Sequence, residues 1–320
     1  MIDLIGKRKY FYILSALIIL AGVVGWIINK GPVLDIQFEG GTIIQIQMPD
    51  DNYDVAKGES VVKDTIGKSA IGQKMTSYNA DNSKSKIYML QLKIGSKEAL
   101  VQADRSTVIT ALKKAFNLPE NAAVTVKSVE PFIGAELLNK GLLAVFWSSL
   151  VIILYVWWRF KVMSGLSAGV MSVVALLHDV LIMLSVYLIF RIPLNDSFIA
   201  AVLTVIGYSM NDTIIIYDRI RENSNLLRKT PIAELVNKSV VQTLNRSINT
   251  VVTVLICIIT VFVFAALNGI KSLEEFTLPL IVGISSGMYS SIFIASSLFV
   301  DWKEHLVKRK IAMKTAKSKA

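Results

Sequence analysis

The chain has 320 residues, 53% of them hydrophobic and 18% charged, with a formal net charge of +10. A soluble domain carries about 25% charged residues, and here the apolar residues gather into long runs, which excludes an ordinary soluble enzyme. The charge does not point to nucleic acid. Residues 29–136 hold 13 basic and 13 acidic side chains (13 − 13 = 0), and the excess sits at 7–9, at Arg159 and Lys161, across 219–246 and in 303–319.

About 20 apolar residues cross a hydrocarbon core of about 30 Å. Six runs qualify: 11–28, 141–158, 162–190, 197–217, 248–268 and 276–299. The expected fold class is a polytopic α-helical membrane protein with six transmembrane helices and one extracytoplasmic α+β domain between the first two. The first run follows Lys7, Arg8 and Lys9, as in a signal peptide. It is too long for a signal h-region, however, and Trp26-Ile27-Ile28 offers no small-residue cleavage site. It reads as a retained anchor.

The expected organisation is a cytoplasmic N-terminus and first span at 1–28, an outer domain at 29–136, a five-helix region at 137–300 with a cytoplasmic loop at 219–246, and a basic cytoplasmic tail at 301–320. The basic excess falls in alternate loops and both tails. The positive-inside rule therefore places these, and both termini, in the cytoplasm. The same basic stripe suits anionic membrane lipid.

Within the outer domain the periodicity changes in a definite order. Thr42–Met48 alternates as a strand, with Ile44 and Ile46 on one face. Val55–Ala70 reads as a helix, Gly72–Asn79 as a weak strand, Asp81-Asn82-Ser83 as a turn and Lys86–Ile94 as a strong strand. Ser96 caps an expected helix Lys97–Phe116, whose buried face is Leu100, Val101, Val108, Ala111, Leu112 and Ala115. Asn121–Glu130 is a last strand. The order β-α-β-β-α-β is that of the ferredoxin-like split βαβ. Gly40 and Gly41 read either as a tight turn entering the first strand or as a close backbone approach. Asp50, Asp51 and Asp54 read as a solvated face, because their spacing does not match a calcium loop.

Cys257 is the single cysteine, so no intrachain disulfide forms. Neither His178 nor His305 has a metal-ligand partner in sequence, so no metal or other cofactor is expected. Gly165 with Gly169, and Gly283 with Gly287, stand at the spacing that lets helices approach closely. Thr230-Pro231 breaks the loop 219–246. Ile232–Leu244 then reads as an amphipathic helix, apolar at Ile232, Leu235, Val236, Val240 and Leu244, lying on the membrane surface before the fifth span.

Two acids lie inside otherwise apolar runs: Asp179 and Asp212. A carboxylate at membrane depth is costly and usually faces a protein interior, a water path or a proton route. Asp212 stands about 7 or 8 Å from the middle of its run by helical rise. Asn211 beside it can hydrogen-bond across helices, and Asp218 and Arg219 lie nearer the cytoplasmic end. Arg246 opens the fifth span and is the best counter-ion for Asp212. The alternative for Asp212 is a purely structural polar clamp. His178 titrates near neutral pH when unperturbed, which suits a proton path, but it adjoins Asp179 in sequence and the two side chains project in different directions. Interface polarity is an equal reading for that pair.

These residues carry a resemblance. GYSMNDTIIIYDRIREN at 207–223, LLHDVLI at 176–182, VEPFIGAEL at 129–137, VVQTLNRSINT at 240–250 and GISSGMYSSIFIASSL at 283–298 resemble signature elements of the SecF family of the bacterial Sec protein-translocation machinery. That family is of the resistance-nodulation-division type. The resemblance covers nearly the whole chain and includes Gly207, Asn211, Asp218 and Arg219 of the fourth-span signature. It implies that Asp212 and Arg246 couple a proton flux to export, and that the outer domain moves. It further implies a SecD-like subunit as the other half of a pseudo-symmetric unit, with the SecYEG channel, the SecA ATPase and a YidC-like insertase as partners and an unfolded translocating polypeptide as cargo. The location it implies is the bacterial cytoplasmic membrane. A carboxylate serves proton or sodium alike. Two positions depart from the family pattern: Gln37 in QFEGG stands where the family has an acid, and Asp35 takes its place only if the chain shifts locally, while Glu130 in VEP stands where the family has a glycine. Two other readings stand beside this one, a small-molecule proton antiporter of the same superfamily and a structural subunit with no coupled ion.

Overall fold

A computed structural model describes residues 3–78, 86–95, 100–129, 131–161 and 165–319. Among these, six helical stretches are long and apolar enough to cross a membrane. An α+β domain is inserted between the first two. The turn expected at Asp81-Asn82-Ser83 and the cap expected at Ser96 lie outside the described residues.

Helix α1 (Arg8–Asn29) leads through Val33–Asp35 into a short helix α2 (Ile36–Glu39) and then into the domain. The domain is β1 (Gly41–Met48), α3 (Val55–Ile66), β2 (Ala70–Tyr78), β3 (Lys86–Gly95), α4 (Gln102–Ala115) and β4 (Val124–Val129). Its sheet has the order β2-β3-β1-β4 with every pairing antiparallel, which is the ferredoxin-like arrangement. Successive strand residues face opposite sides of a sheet. Ile44, Ile46, Met48, Leu90, Leu92 and Ile94 therefore fall on one face, where they bury against Val62 of α3 and Val108 and Leu112 of α4. On the other face Gln45, Gln91 and Gln73 stand in register, and Gln45 Nε2 donates to Gln91 Oε1 at 2.6 Å.

Three details of this domain differ from or refine the pattern reading. Helix α3 ends at Ile66, capped by Gly67 at φ 68°, and Ala70 opens β2 instead. Helix α4 begins at Gln102 rather than at Lys97. Val101 is its extended N-cap and is 68% exposed, so it does not join the buried face. Gly40 and Gly41 prove to be both turn and close approach. Their φ values of 84° and 144° favour glycine, and a Cβ on Gly41 would run into the carbonyl of Ile94 on β3.

The membrane part consists of α5 (Pro131–Arg159), α6 (Gly165–Phe190), α7 (Asp196–Leu226), α8 (Ile232–Asn268) and a last run made of α9 (Lys271–Tyr289), a π-helical turn (Ser290–Ala295) and α10 (Ser296–Lys319). Burial sorts these into layers. The spans of α6, α7 and α9 are half or more buried, against 11% for α1, α5 and α8. The three central helices pack on one another, and the outer ones present Ile13, Leu17, Phe146, Leu154, Ile256 and Ile259 outward. Both glycine pairs mark tight helix contacts. Gly169 approaches the carbonyl of Ile153 on α5, while Gly283 and Gly287 sit against Val205 and Ser209 of α7.

Ile232–Leu244 is not a separate surface helix. It forms the first turns of α8, continuous with the fifth span. Leu235, Val236 and Val240 bury in the same core as Ile216, Tyr217 and Ile220 of α7. Asn223 of α7 donates to Ser239 Oγ and Gln242 Oε1 of α8, both at 2.8 Å. The apolar face that suited a lipid surface covers protein instead.

Candidate functional site

The two intramembrane acids occupy different chemical surroundings. Asp179, on α6, is 1% exposed. Its carboxylate accepts a hydrogen bond from Ser286 of α9 at 2.7 Å, and from Ser209 of α7 and Ser290 of the π-helical turn at 2.8 Å each. His178 does share this site, against the expectation from adjacency. Its Nδ1 lies 3.3 Å from Asp179 Oδ1 and its Nε2 lies 2.9 Å from Ser15 Oγ of α1. Neighbouring residues of a helix point about 100° apart, but the imidazole is long enough to turn back over the carboxylate. The network continues to Tyr289, whose hydroxyl lies 3.2 Å from Ser15 Oγ and donates to the Phe11 carbonyl at 2.7 Å. Asp179 thus ties α1, α6, α7 and the last span together. The π-helical turn widens the spiral where Ser290 reaches Asp179 of α6 and Ser291 reaches Thr213 and the Ser209 carbonyl of α7, a local form often found at functional positions.

Asp212 is the opposite case. It is fully buried, 0% exposed, and neither carboxylate oxygen has a hydrogen-bond partner. Buried polar atoms without partners are few in folded proteins and call for an explanation in function. Two further orphans stand close in sequence to the candidate residues: the hydroxyls of Tyr208, one turn before Asp212, and Ser247, next to Arg246. Arg246 is exposed and makes no ion pair with Asp212 at contact distance, yet its charge acts attractively on that carboxylate. In this conformation the two groups share no direct bond. Ser209 lies one turn from Asp212 on α7, so a single helix carries both the Asp179 cage and the bare acid.

The other residues of the fourth-span signature divide cleanly. Gly207 and Asn211 are exposed, four apart on one side of α7. A Cβ on Gly207 would meet nothing within 4 Å, and Asn211 makes no hydrogen bond across helices among the described residues. Asp218 and Arg219 form a clasp at the end remote from the α+β domain. Asp218 pairs with Arg159 of α5 at 3.0 Å and with Arg221 at 2.7 Å, and Arg219 Nε donates to Gln242 of α8 at 2.7 Å. Gly40 and Gly41 lie at the other end, in the domain. The described residues contain no group of three or more His, Cys, Asp or Glu that could hold a metal ion.

Sequence reasoning missed the serines. Ser15, Ser209, Ser286 and Ser290 make the polar core around Asp179, and nothing in composition singles them out. The one available signal was the four-residue spacing of Ser286 and Ser290, which puts both hydroxyls on one face of a helix.

Six spans, an inserted split-βαβ domain and buried acids on central helices define a membrane-embedded transport component. Comparison with known proteins says which kind. The family described as protein export membrane protein SecD/SecF, C-terminal, matches residues 107–305. The protein translocase subunit SecF of Alicyclobacillus acidocaldarius is 34% identical over 310 residues, covering 96% of this chain and 94% of that one. The protein translocase subunit SecDF of Bacillus subtilis is 33% identical over 96% of this chain, which spans 39% of that longer protein. The crystal structure of SecDF, a translocon-associated membrane protein from Thermus thermophilus, superimposes with a TM-score of 0.74 at 32% identity, over 95% of this chain and 39% of that one. The chain belongs to the SecD/SecF family of protein-export membrane proteins. It is a multi-pass membrane protein with an accessory role in Sec transport.

Proposed function

We propose that the protein works with a SecD-like subunit in the bacterial cytoplasmic membrane, beside the SecYEG channel and the SecA ATPase, and uses the proton gradient to draw unfolded polypeptide outward. In this reading the α+β domain is extracytoplasmic and both termini are cytoplasmic, as the distribution of Lys and Arg among the loops supports. The observation that carries the coupling is the contrast between the two acids. Asp179 is held by three serines, whereas Asp212 is buried with both oxygens free and only the field of Arg246 opposing its isolation.

An acid that makes no hydrogen bond can gain or lose a proton without first breaking a local structure. Protonation removes its attraction to Arg246, and deprotonation restores it. Helices α7 and α8, which carry the two groups, then have two preferred arrangements, and a proton entering from one side and leaving to the other cycles between them. The partner is supported by the open side of the site. Gly207, Asn211 and Arg246 are exposed in the single chain, and polar groups at membrane depth usually face a protein interior or a water-filled cavity. A SecD-like half, with its own helices, would close that side.

The test is gradient-dependent export of a secretory precursor into inverted membrane vesicles. Asp212→Asn and Arg246→Met should each abolish the gradient-stimulated part while the subunit still inserts and assembles. The double variant should lose little more than either single one, since the two act as a unit. A full gradient response in Asp212→Asn vesicles would overturn proton coupling here and leave a structural subunit.

A further inference from the structure

At the seam between the α+β domain and the membrane helices, Leu34 and Phe38 pack among apolar residues of α5, α6 and α7, and charge and hydrogen bonds join the two parts beside them. Residues 33–35 run alongside the entry to α7. Leu194 N donates to the Val33 carbonyl, and Asp35 N to the Leu194 carbonyl, at 2.8 Å each. Asp35 then caps α2, accepting from Ile36 N at 2.8 Å. One residue further, Gln37 Oε1 accepts from the Asp196 amide at the start of α7, at 3.0 Å. Gln37 bridges to α7, and Asp35 supplies a carboxylate at the seam.

That charge has a partner in the sheet. Lys93 of β3 reaches out of the domain and places its ammonium 2.8 Å from Asp35 Oδ2 and 3.7 Å from Glu275 Oε1 of α9. The Lys93 side chain is 11% exposed, that of Asp35 6% and that of Glu275 32%. Glu275 is held in turn by Asn195 Nδ2 at 2.8 Å, and the Asn195 side-chain oxygen caps α7 by accepting from Phe198 N at 3.1 Å. One lysine therefore links the domain's central sheet to the first turns of α7 and α9. These are the helices that carry Asp212 and Ser209, and Ser286. Beside the seam lies a cavity of about 240 Å³ lined by Asp35, Lys93, Asn195, Lys271, Glu274 and Glu275 along with apolar neighbours. Where β3 meets the membrane helices at Lys93 the joint is charged and incompletely packed, and it can part there because its charged groups gain water as they separate.

We propose that Lys93 is a positioning residue that clamps the α+β domain to the domain-side ends of α7 and α9, and that the domain swings when the clamp opens. Breaking the clamp should free the domain's orientation while leaving both its own core and the membrane core folded. The proposal does not depend on the identity of the coupled ion, and its test is run without any gradient.

Spin labels at Thr110→Cys on α4 and Leu267→Cys near the end of α8, in a Cys257→Ser background, report the distance between the domain and the membrane part in the full chain in lipid. The parent pair should give one narrow distance distribution. Lys93→Met should broaden it or add a second peak, Lys93→Arg should restore the narrow one, and Glu275→Gln should broaden it less than Lys93→Met. Glu275 is on the membrane side, so this variant probes the clamp even if Lys93→Met fails to fold. Distributions in Lys93→Met and Glu275→Gln indistinguishable from the parent would overturn the proposal, as would a Lys93→Arg chain as broad as Lys93→Met.

Discussion

Replacing each intramembrane acid by its amide should affect stability unequally, because one carboxylate is bonded and the other is not. In Asp179→Asn the side chain keeps one acceptor oxygen and gains an NH2. The cheapest arrangement leaves the oxygen toward Ser209 and Ser290, which donate to Oδ2 at 2.8 Å each. Ser286, which donates to Oδ1 at 2.7 Å, then faces an NH2 and must turn its hydrogen away. At least one hydrogen bond to a charged group is lost, a cost of about 1.5–3 kcal/mol. Asp212→Asn breaks no hydrogen bond, since both oxygens are unpartnered. Both variants remove a charge that costs roughly 2.5–3.5 kcal/mol at a helix centre on insertion scales, so the difference between them is the hydrogen bond lost at Asp179. Heat-induced unfolding of the purified chain in detergent, followed by tryptophan fluorescence, should rank Asp179→Asn below Asp212→Asn. Only the ranking is used, because thermal unfolding of membrane proteins is often irreversible. Asp212→Asn unfolding at or below the temperature of Asp179→Asn would refute the distinction between a caged and a bare acid, and with it the structural ground for placing the proton at Asp212.

Two more expectations are simpler to check. Single cysteines at Thr110, exposed on α4, and Lys229, exposed in the turn between α7 and α8, should react with a membrane-impermeant thiol reagent from opposite faces of the membrane, in a Cys257→Ser background; labelling of both from outside intact cells would contradict the orientation. Gly283→Leu should destabilise the chain by about 1–3 kcal/mol or more through overpacking, because even a Cβ there runs into Val205 of α7 and Met183 of α6; an unchanged unfolding temperature would mean that α9 moves aside at no cost.

The sequence by itself determined the parts of this protein that depend on local periodicity and on the solvent each segment prefers. Six apolar runs have no stable place but hydrocarbon. Strict alternation in β1 and β3 decides which face of each strand is buried, and the β-α-β-β-α-β order leaves few ways to close a sheet. The two acids were legible as exceptions in apolar runs, and the signature around Asp212 and Arg246 marked that pair. What only the tertiary structure decided is which neighbour each group meets. The apolar face of Ile232–Leu244 reads the same for lipid as for protein, and α7 claimed it. The serines were silent for a physical reason. Hydroxyls in helices commonly bond the carbonyl one turn back, as Ser285 bonds Ile281 and Thr260 bonds Ile256. Ser209 and Ser286 instead turn toward Asp179, a choice set by an acid on another helix. Lys93 looked like any solvated strand residue until Asp35 and Glu275, 58 and 182 positions away in the chain (93 − 35 and 275 − 93), were brought to its ammonium by the fold.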